Sequence, residues 1–155
     1  MTRFAHLRTA LASLVFISAA GAAGAAVAQD GPQKLSTIKL SAGMHSMNVE
    51  VARSEQEHAI GLMFRKSMPT NDGMLFIFEI AGQQCFWMKN TLLPLSVAFI
   101  ADDGSIANIE DMKPQTLDSH CSIKQVRYVL EMNDGWFAKR GIKAGTKVQG
   151  EPFKR

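Results

Sequence analysis

The stretch "GMLFIFEI" at residues 73–80 narrows the fold classes that are open to this chain. Met74 and Phe76 face one side of an extended segment, and Leu75 and Ile77 face the other side. A strand that is apolar on both faces must be covered on both sides, as in the middle of a β sandwich or barrel. We therefore predict a mainly β core around this strand.

The flanking sequence predicts further short strands at intervals of about 8–12 residues. Ser54 and Glu57 form a capping box that predicts a short helix at residues 55–63, and a second short helix or turn is expected at residues 133–140. This pattern favours a small single-domain β barrel or sandwich with one or two short helices. The predicted strands are residues 33–40, 47–52, 73–80, 85–88, 95–101, 105–109, 125–132 and 147–149.

Residues 1–28 have the pattern of a cleavable Sec-type signal peptide. Two arginines precede a short apolar run at residues 11–17, and the "AVA" of residues 26–28 is an A-x-A cleavage site. We expect a mature domain of residues 29–155 that is periplasmic or secreted. No later stretch reaches the roughly 20 apolar residues that cross a bilayer, so no membrane span is expected after the signal is removed.

The charge balance of the expected mature chain is nearly neutral. The two arginines of the predicted signal leave 15 basic residues against 14 acidic ones, a net charge of +1. Nucleic-acid binding depends on many cations that neutralise phosphates on one face. The composition therefore gives no support for a nucleic-acid partner.

Cys85 and Cys121 are the only two cysteines of the chain. In an exported protein, oxidising conditions favour a disulfide between them. The alternative is a reactive thiol, with Cys121 acting beside His120. We predict the structural disulfide.

Five sequence words occur in one order along the chain and carry a family resemblance. Together they resemble the domain-of-unknown-function 192 family of small proteins, over about residues 40–149. The resemblance implies a compact, mostly β fold with a short helix after the second strand, and it implies no particular reaction. The words are "GLMFR" at 61–65, "GMLFIF" at 73–78, "FWMKNTLLPL" at 86–95, "YVLEM" at 128–132 and "GIKAG" at 141–145.

Two positions depart from the pattern that this resemblance implies. Ser96 stands where an acidic residue usually follows the Pro-Leu pair, and Gly145-Thr146 stands where Gly-Asp is usual. A role that depends on either carboxylate is therefore not expected in this chain.

The stretch "CFWMKN" at residues 85–90 is the best candidate for a binding surface. An extended chain places Trp87 and Lys89 on the face opposite Phe86 and Met88. An indole beside an ammonium group is suited to stacking on a sugar and to attracting an anionic group. The alternative is that Trp87 covers the disulfide while Lys89 is simply solvated.

Glu131 is the second unusual feature, because it lies in a strand of otherwise apolar residues. A buried carboxylate is costly unless it is paired, and Lys89 or Arg65 are its candidate partners. Asn90 precedes an expected turn, which its side chain could organise. The predicted ligand-binding residues are Arg65, Trp87, Lys89, Asn90 and Glu131.

Two alternative functions follow from other residues. A small envelope hydrolase would need a carboxylate partner for Glu131, such as Glu79 or Asp111, since a glycosidase requires two. The "DSHC" stretch at residues 118–121 does not make a catalytic triad, because consecutive loop residues point in different directions.

A copper(I)-binding protein would use the thioether and imidazole groups of the "MHSM" stretch, Met44, His45 and Met47. Flexible core filling explains the methionines equally well. We therefore expect no resident metal or cofactor. The leading hypothesis is a non-enzymatic binding module for a small ligand, a glycan or an envelope component.

Overall fold

The structure, a computed structural model, describes residues 31–153. The predicted signal peptide lies outside the described residues. Among residues 31–153, no helix has both the length and the apolar character needed to span a bilayer. The strands are β1 (Thr37–Ala42), β2 (His45–Ala52), β3 (Asp72–Gly82), β4 (Cys85–Phe86), β5 (Leu95–Ile100), β6 (Ile106–Met112), β7 (His120–Cys121), β8 (Val126–Asn133) and β9 (Val148–Gln149).

Seven of these strands form one sheet in the order β6-β5-β8-β3-β2-β1-β9. The sheet curls into a half-barrel, and its two ends meet where Ser105 pairs with Lys147. The Val148 N–H also donates to the Gly104 carbonyl at 2.9 Å. The helix α1 (Glu55–Ile60) has six residues and lies between β2 and β3. A 3-10 helix (Ala138–Arg140) lies between β8 and β9. The prediction of a mainly β domain with one or two short helices is confirmed.

The strand β3 lies between a parallel and an antiparallel neighbour. It pairs parallel with β2 and antiparallel with β8. Residues 53–71 carry the crossover that a parallel pair requires, and α1 lies in this crossover. Both faces of β3 are covered at residues 73–76, as its apolar pattern predicted, whereas Glu79 and Ile80 are exposed.

Each face of the sheet has its own apolar core. On one face, Trp136 and Phe137 pack with Leu75 and Leu130. The other face packs Phe76 and Val129 against residues that belong to the loops, among them Leu62, Phe86 and Met88. The loops around α1 and β4 therefore act as the second layer of the domain.

The capping box of α1 is confirmed, but the helix is shorter than predicted. Ser54 Oγ accepts from the Glu57 N–H, and the Glu57 carboxylate accepts from the Ser54 N–H at 2.9 Å. Gly61 ends the helix with a φ of 49°, a conformation that costs glycine little. A Cβ at Gly61 would also lie 3.3 Å from the Phe76 ring.

Two predicted strands differ from the structure. Residues 85–88 do not pair back onto β3, because only Cys85 and Phe86 are extended and they pair with β7. The first strand begins at Thr37 instead of residue 33, because the preceding segment bonds to α1 and to β2 side chains. The Gln33 side chain donates to the Gly61 carbonyl at 3.0 Å.

Arg65 links the crossover to β2 through an ion pair with Glu50. Arg65 Nη1 and Nη2 each donate to a different Glu50 carboxylate oxygen at 2.8 Å, and Nη2 also donates to the Gln33 carbonyl. Burial raises the pKa of Glu50, but the hydrogen bonds from Arg65 and the Leu35 N–H, together with nearby positive charge, lower the pKa below its usual value overall. Both Glu50 and Arg65 are therefore charged at neutral pH.

We predict that Glu50→Gln lowers the free energy of unfolding by about 1–3 kcal/mol at neutral pH, because Arg65 loses its charged partner. Since the folded pKa of Glu50 is lowered, its contribution is present above the pKa of the unfolded chain and is lost as the pH falls through the folded value. Urea unfolding at several pH values measures both effects. Glu79→Gln, at an exposed position, is the control. Equal losses in the free energy of unfolding of the two variants would contradict a stabilising role for the Arg65–Glu50 pair.

The disulfide is confirmed: Cys85 bonds to Cys121 across a separation of 36 residues. The two residues also face each other in the β4–β7 ribbon. This ribbon is the point at which the loop before β5 is joined to the loop after β6. A crosslink there restricts a long loop in the unfolded chain.

We predict that replacing both cysteines by serine lowers the free energy of unfolding by about 2–4 kcal/mol, since the unfolded chain regains the entropy of the open loop. Denaturant titration under non-reducing conditions measures the change. Wild-type protein treated with a reductant should approach the double variant. If neither the double substitution nor the reductant changed the denaturant midpoint, the β4–β7 ribbon would be stable without the crosslink.

Candidate functional site

A pocket of about 480 Å³ lies between α1, the second half of β3 and the β4 segment. This volume is in the range of small-molecule sites. Its walls are mostly apolar and aromatic, and its titratable side chains are Glu55, His58 and Glu131. The other residues of the lining are Ala59, Ile60, Gly61, Leu62, Met63, Phe76, Phe78, Gln84, Cys85, Phe86, Trp87 and Thr91.

Glu131 reaches this pocket from the centre of the sheet. Its strand β8 places it in register with Met74 of β3 on one side and with Val97 of β5 on the other. The residue is only 4% exposed. Burial raises the pKa of Glu131 from 4.5 to about 8, so the side chain is mainly an uncharged acid at neutral pH.

The carboxyl group of Glu131 has no cationic partner in the described part of the chain. Of its two expected partners, Arg65 is committed to Glu50, and Lys89 lies over an indole ring. The expectation that Glu131 pairs with Lys89 or Arg65 was therefore wrong. The sheet can bury the acid because protonation removes the charge that would otherwise need a partner.

Aromatic rings form the walls above Glu131. The Phe86 ring meets Phe76 edge-on at a centroid distance of 4.8 Å, and it meets Phe99 at 6.2 Å. Edge-to-face packing of this kind is a favoured arrangement of aromatic rings. The aromatic wall is therefore a defined surface, and the short β4 strand contributes its central ring.

His58 closes the pocket from the helix. Its ring packs on Phe78 at a centroid distance of 4.5 Å, and its Nε2 lies 3.1 Å from the Ala52 carbonyl. A carbonyl can only accept, so Nε2 carries a proton in this contact. His58 is half-buried, because the crossover turns this face of α1 toward β3.

The alternation of buried and exposed side chains predicted for residues 85–90 is present at Trp87 and Met88. Met88 is fully buried, whereas the Trp87 side chain is 52% exposed and lines the pocket. Lys89 Nζ lies 5.5 Å from the centroid of the Trp87 ring, within cation–π range. The predicted pairing of an indole with an ammonium group is thus present at the rim of the pocket.

The other two predicted binding residues lie outside the pocket lining. Asn90 adopts a φ of 55° in a turn, and its carbonyl accepts from the Phe64 N–H at 2.9 Å. Arg65 faces Glu50, as described above. Of the five predicted residues, the structure brings Trp87 and Glu131 together in one pocket and places Lys89 beside them.

The carboxylates suggested as hydrolase partners are elsewhere. Glu79 lines a different cleft, and Asp111 accepts a hydrogen bond from Ser96 Oγ. Glu55, in the first turn of α1, is the second carboxylate that lines the pocket. It was not predicted, because its position in the crossover is not visible in the local pattern.

The remaining candidate motifs also have defined places. In "DSHC", His120 Nδ1 lies 2.8 Å from a Glu110 carboxylate oxygen, and the thiol of Cys121 is consumed by the disulfide. Met44 is 89% exposed, whereas Met47 is 1% exposed, so their thioethers do not share one accessible site. In the described part of the chain, no group of three or more His, Cys, Asp or Glu side chains is arranged to hold a metal ion.

Ser96 and Thr146, the two departures from the family pattern, both form hydrogen bonds in turns or strands. Ser96 Oγ accepts from the Gly135 N–H at 2.8 Å and donates to the Asp111 carboxylate. Thr146 Oγ1 accepts from the Lys143 N–H at 3.2 Å. Asp111 thus brings an acidic group next to the position that Ser96 occupies.

The fold and the pocket define a class: a small disulfide-linked half-barrel with a pocket between its sheet and its loops. The family model that matches residues 37–150 is DUF192, described as "Uncharacterized ACR". The chain belongs to this family. The resemblance drawn from the five sequence words is therefore confirmed.

Two solved structures are similar to this chain over most of its length. One is a protein of Sinorhizobium meliloti 1021 whose description proposes a transcription regulator; it is 34% identical with a TM-score of 0.74, over 77% of this chain and 98% of that chain. The other is a protein of unknown function from Novosphingobium aromaticivorans DSM 12444, 33% identical with a TM-score of 0.72, over 75% of this chain and 86% of that chain. Comparison with curated proteins finds no match.

We predict that the stability of the protein falls as the pH rises from about 5 to about 8, and that Glu131→Gln removes most of this fall. The unfolded chain loses the Glu131 proton near pH 4.5, whereas the folded chain keeps it until about 8. Between these two pH values, the folded chain holds a proton that the unfolded chain has lost. The free energy of unfolding therefore falls by up to about 1.4 kcal/mol per pH unit in this range. Urea unfolding of both proteins over this pH range measures the difference. If the free energy of unfolding changed equally with pH in the wild type and in Glu131→Gln, the prediction of a buried, uncharged Glu131 would be contradicted.

Proposed function

We propose that this protein is an exported, periplasmic binding domain whose pocket receives a small ligand. The observation that carries the proposal is the isolated carboxyl group of Glu131, buried beneath a wall of aromatic rings and facing a volume of about 480 Å³. Sites for small molecules commonly combine an apolar lining with a few polar groups that fix the orientation of the ligand.

The ligand class follows from the chemistry of the lining. The rings of Phe76, Phe78 and Phe86 offer an apolar surface for a compact, ring-containing or branched body. Glu131 offers a hydrogen-bonding group at the inner end. Trp87 at the rim can cover the ligand because half of its surface is still exposed.

Export is part of the proposal and is supported by two features of the chain. Residues 1–28 have the pattern of a signal peptide. The two cysteines of the chain are joined, as is usual in an oxidising compartment.

Benzyl alcohol is a suitable neutral probe for the pocket, since it combines a ring with one hydroxyl group. We predict that it shifts the amide NMR signals of pocket residues such as Gly61, Phe78 and Phe86. Ala59→Trp should abolish these shifts, because an indole on the exposed pocket face of α1 would fill the entrance. The matched control is Ala138→Trp, the same change on the 3-10 helix, which is outside the pocket lining.

Trp87→Ala tests the rim separately. Loss of one aromatic contact should weaken the binding of benzyl alcohol about threefold to tenfold, while thermal unfolding stays nearly unchanged because Trp87 is half exposed. Ile80→Ala, an exposed apolar residue outside the pocket lining, is its control. Shifts that persist in Ala59→Trp, or a large loss of stability in Trp87→Ala, would overturn the proposal.

A further inference from the structure

We infer that the ligand of this pocket is a small organic amine, bound as its ammonium ion with its N–H groups directed at Glu131. The inference rests on the proposed ligand pocket and specifies which charge the ligand carries. Three properties of the described part of the lining support it: a buried acid without a cationic partner, aromatic rings, and a shortage of cationic side chains.

The acid is the first property. Glu131 is almost fully buried, and neither Lys89 nor Arg65 supplies its positive charge. A carboxylate that is desolvated without a cation is strongly unfavourable. An ammonium ion in the pocket would provide the missing charge and up to three N–H donors.

The aromatic rings are the second property. The face of a benzene or indole ring carries negative electrostatic potential and attracts a cation. Phe76, Phe78, Phe86 and Trp87 all contribute to the lining. These rings give the pocket several π systems on which a bound cation can be stabilised.

The charge of the lining is the third property. Among residues 31–153, no lysine or arginine lines the pocket, and the ionisable groups of the lining are Glu55, His58 and Glu131. Of the elements packed around Glu131, β3 and β5 present Met74 and Val97, α1 presents Glu55 and His58, and β4 presents Cys85, which is held in the disulfide. His58 already uses Nε2 on the Ala52 carbonyl.

Binding of an ammonium ion requires a balanced proton transfer. Burial keeps Glu131 mostly protonated below about pH 8. When the ammonium ion binds, the carboxyl group ionises, its O–H bond breaks, and the proton leaves to the solvent. The bound state is an ion pair of carboxylate and ammonium, so close to one proton is released for each amine bound at about pH 7.

Benzylamine tests the inference against two isosteric ligands, neutral benzyl alcohol and anionic benzoate. At about pH 7, benzylamine should bind about tenfold or more tightly than benzyl alcohol, and benzoate should not bind. The affinity for benzylamine should rise by up to about tenfold per pH unit from pH 6 to pH 8, whereas the affinity for benzyl alcohol should not rise.

Isothermal titration in buffers of different ionisation enthalpy counts the released proton, and this measurement on the wild-type protein needs no variant. Glu131→Gln should remove both the preference for benzylamine and the proton release, yet still bind benzyl alcohol. Glu79→Gln removes an exposed carboxylate outside the pocket lining, so it is the matched control and should leave the proton release unchanged.

The outcomes separate this inference from the proposed function. If neither benzyl alcohol nor benzylamine shifts the pocket signals, the proposed ligand pocket itself fails. If benzyl alcohol binds as tightly as benzylamine, or if benzylamine binds without releasing a proton, the pocket stands and the amine inference is overturned. Equal affinity of Glu131→Gln and wild type for benzylamine would also overturn it.

Discussion

Strands β2 and β3 run parallel, and the chain must therefore travel back along the sheet between them. Residues 53–71 make this return, and α1 is placed over one face of β3 as a consequence. The helix has only six residues, too few to cover that face. The loop that contains β4 has to supply the rest of the cover, and the pocket lies where the helix and this loop do not fill the space between them.

The disulfide holds the second part of this cover. Cys85 belongs to the wall of the pocket, and its bond to Cys121 ties that wall to the loop after β6. Phe86 follows directly and packs its ring against Phe76 of the sheet. A two-residue strand has few ladder hydrogen bonds of its own, so the crosslink and the ring contacts keep it in place. The shape of the pocket thus depends on covalent and aromatic contacts more than on regular secondary structure.

Glu131 shows how the sheet tolerates an acid at its centre. Neighbouring positions of β8 are apolar and fully buried, and the strand is paired on both sides. The acid remains because protonation spares the fold the cost of a buried charge. A leucine or methionine would fill the same position without this pH dependence. An ionisable group at this position agrees with the role in the pocket that we propose for Glu131.

Several features of the fold followed from local patterns. The alternation of Phe86, Trp87 and Met88 was correct at the level of single side chains, because the direction of a side chain in an extended segment depends only on its neighbours. The capping box of α1 was predictable for the same reason. Residues 85–88 were predicted as one strand, but only Cys85 and Phe86 are extended, and an apolar run does not indicate that their partner is the distant β7. The surroundings of His58 could not be predicted from α1 alone, because they come from β3.

The sequence by itself determined the mainly β class, the faces of the strands, the disulfide and the family, since each depends on residue type and spacing along the chain. Only the tertiary structure decided that Arg65 binds Glu50 and that Glu131 has no cationic partner within residues 31–153. The same holds for the pocket, whose aromatic wall combines residues from α1, β3 and β4. Strand order and the path of the crossover set these contacts, and they arise from packing between segments that are far apart in sequence.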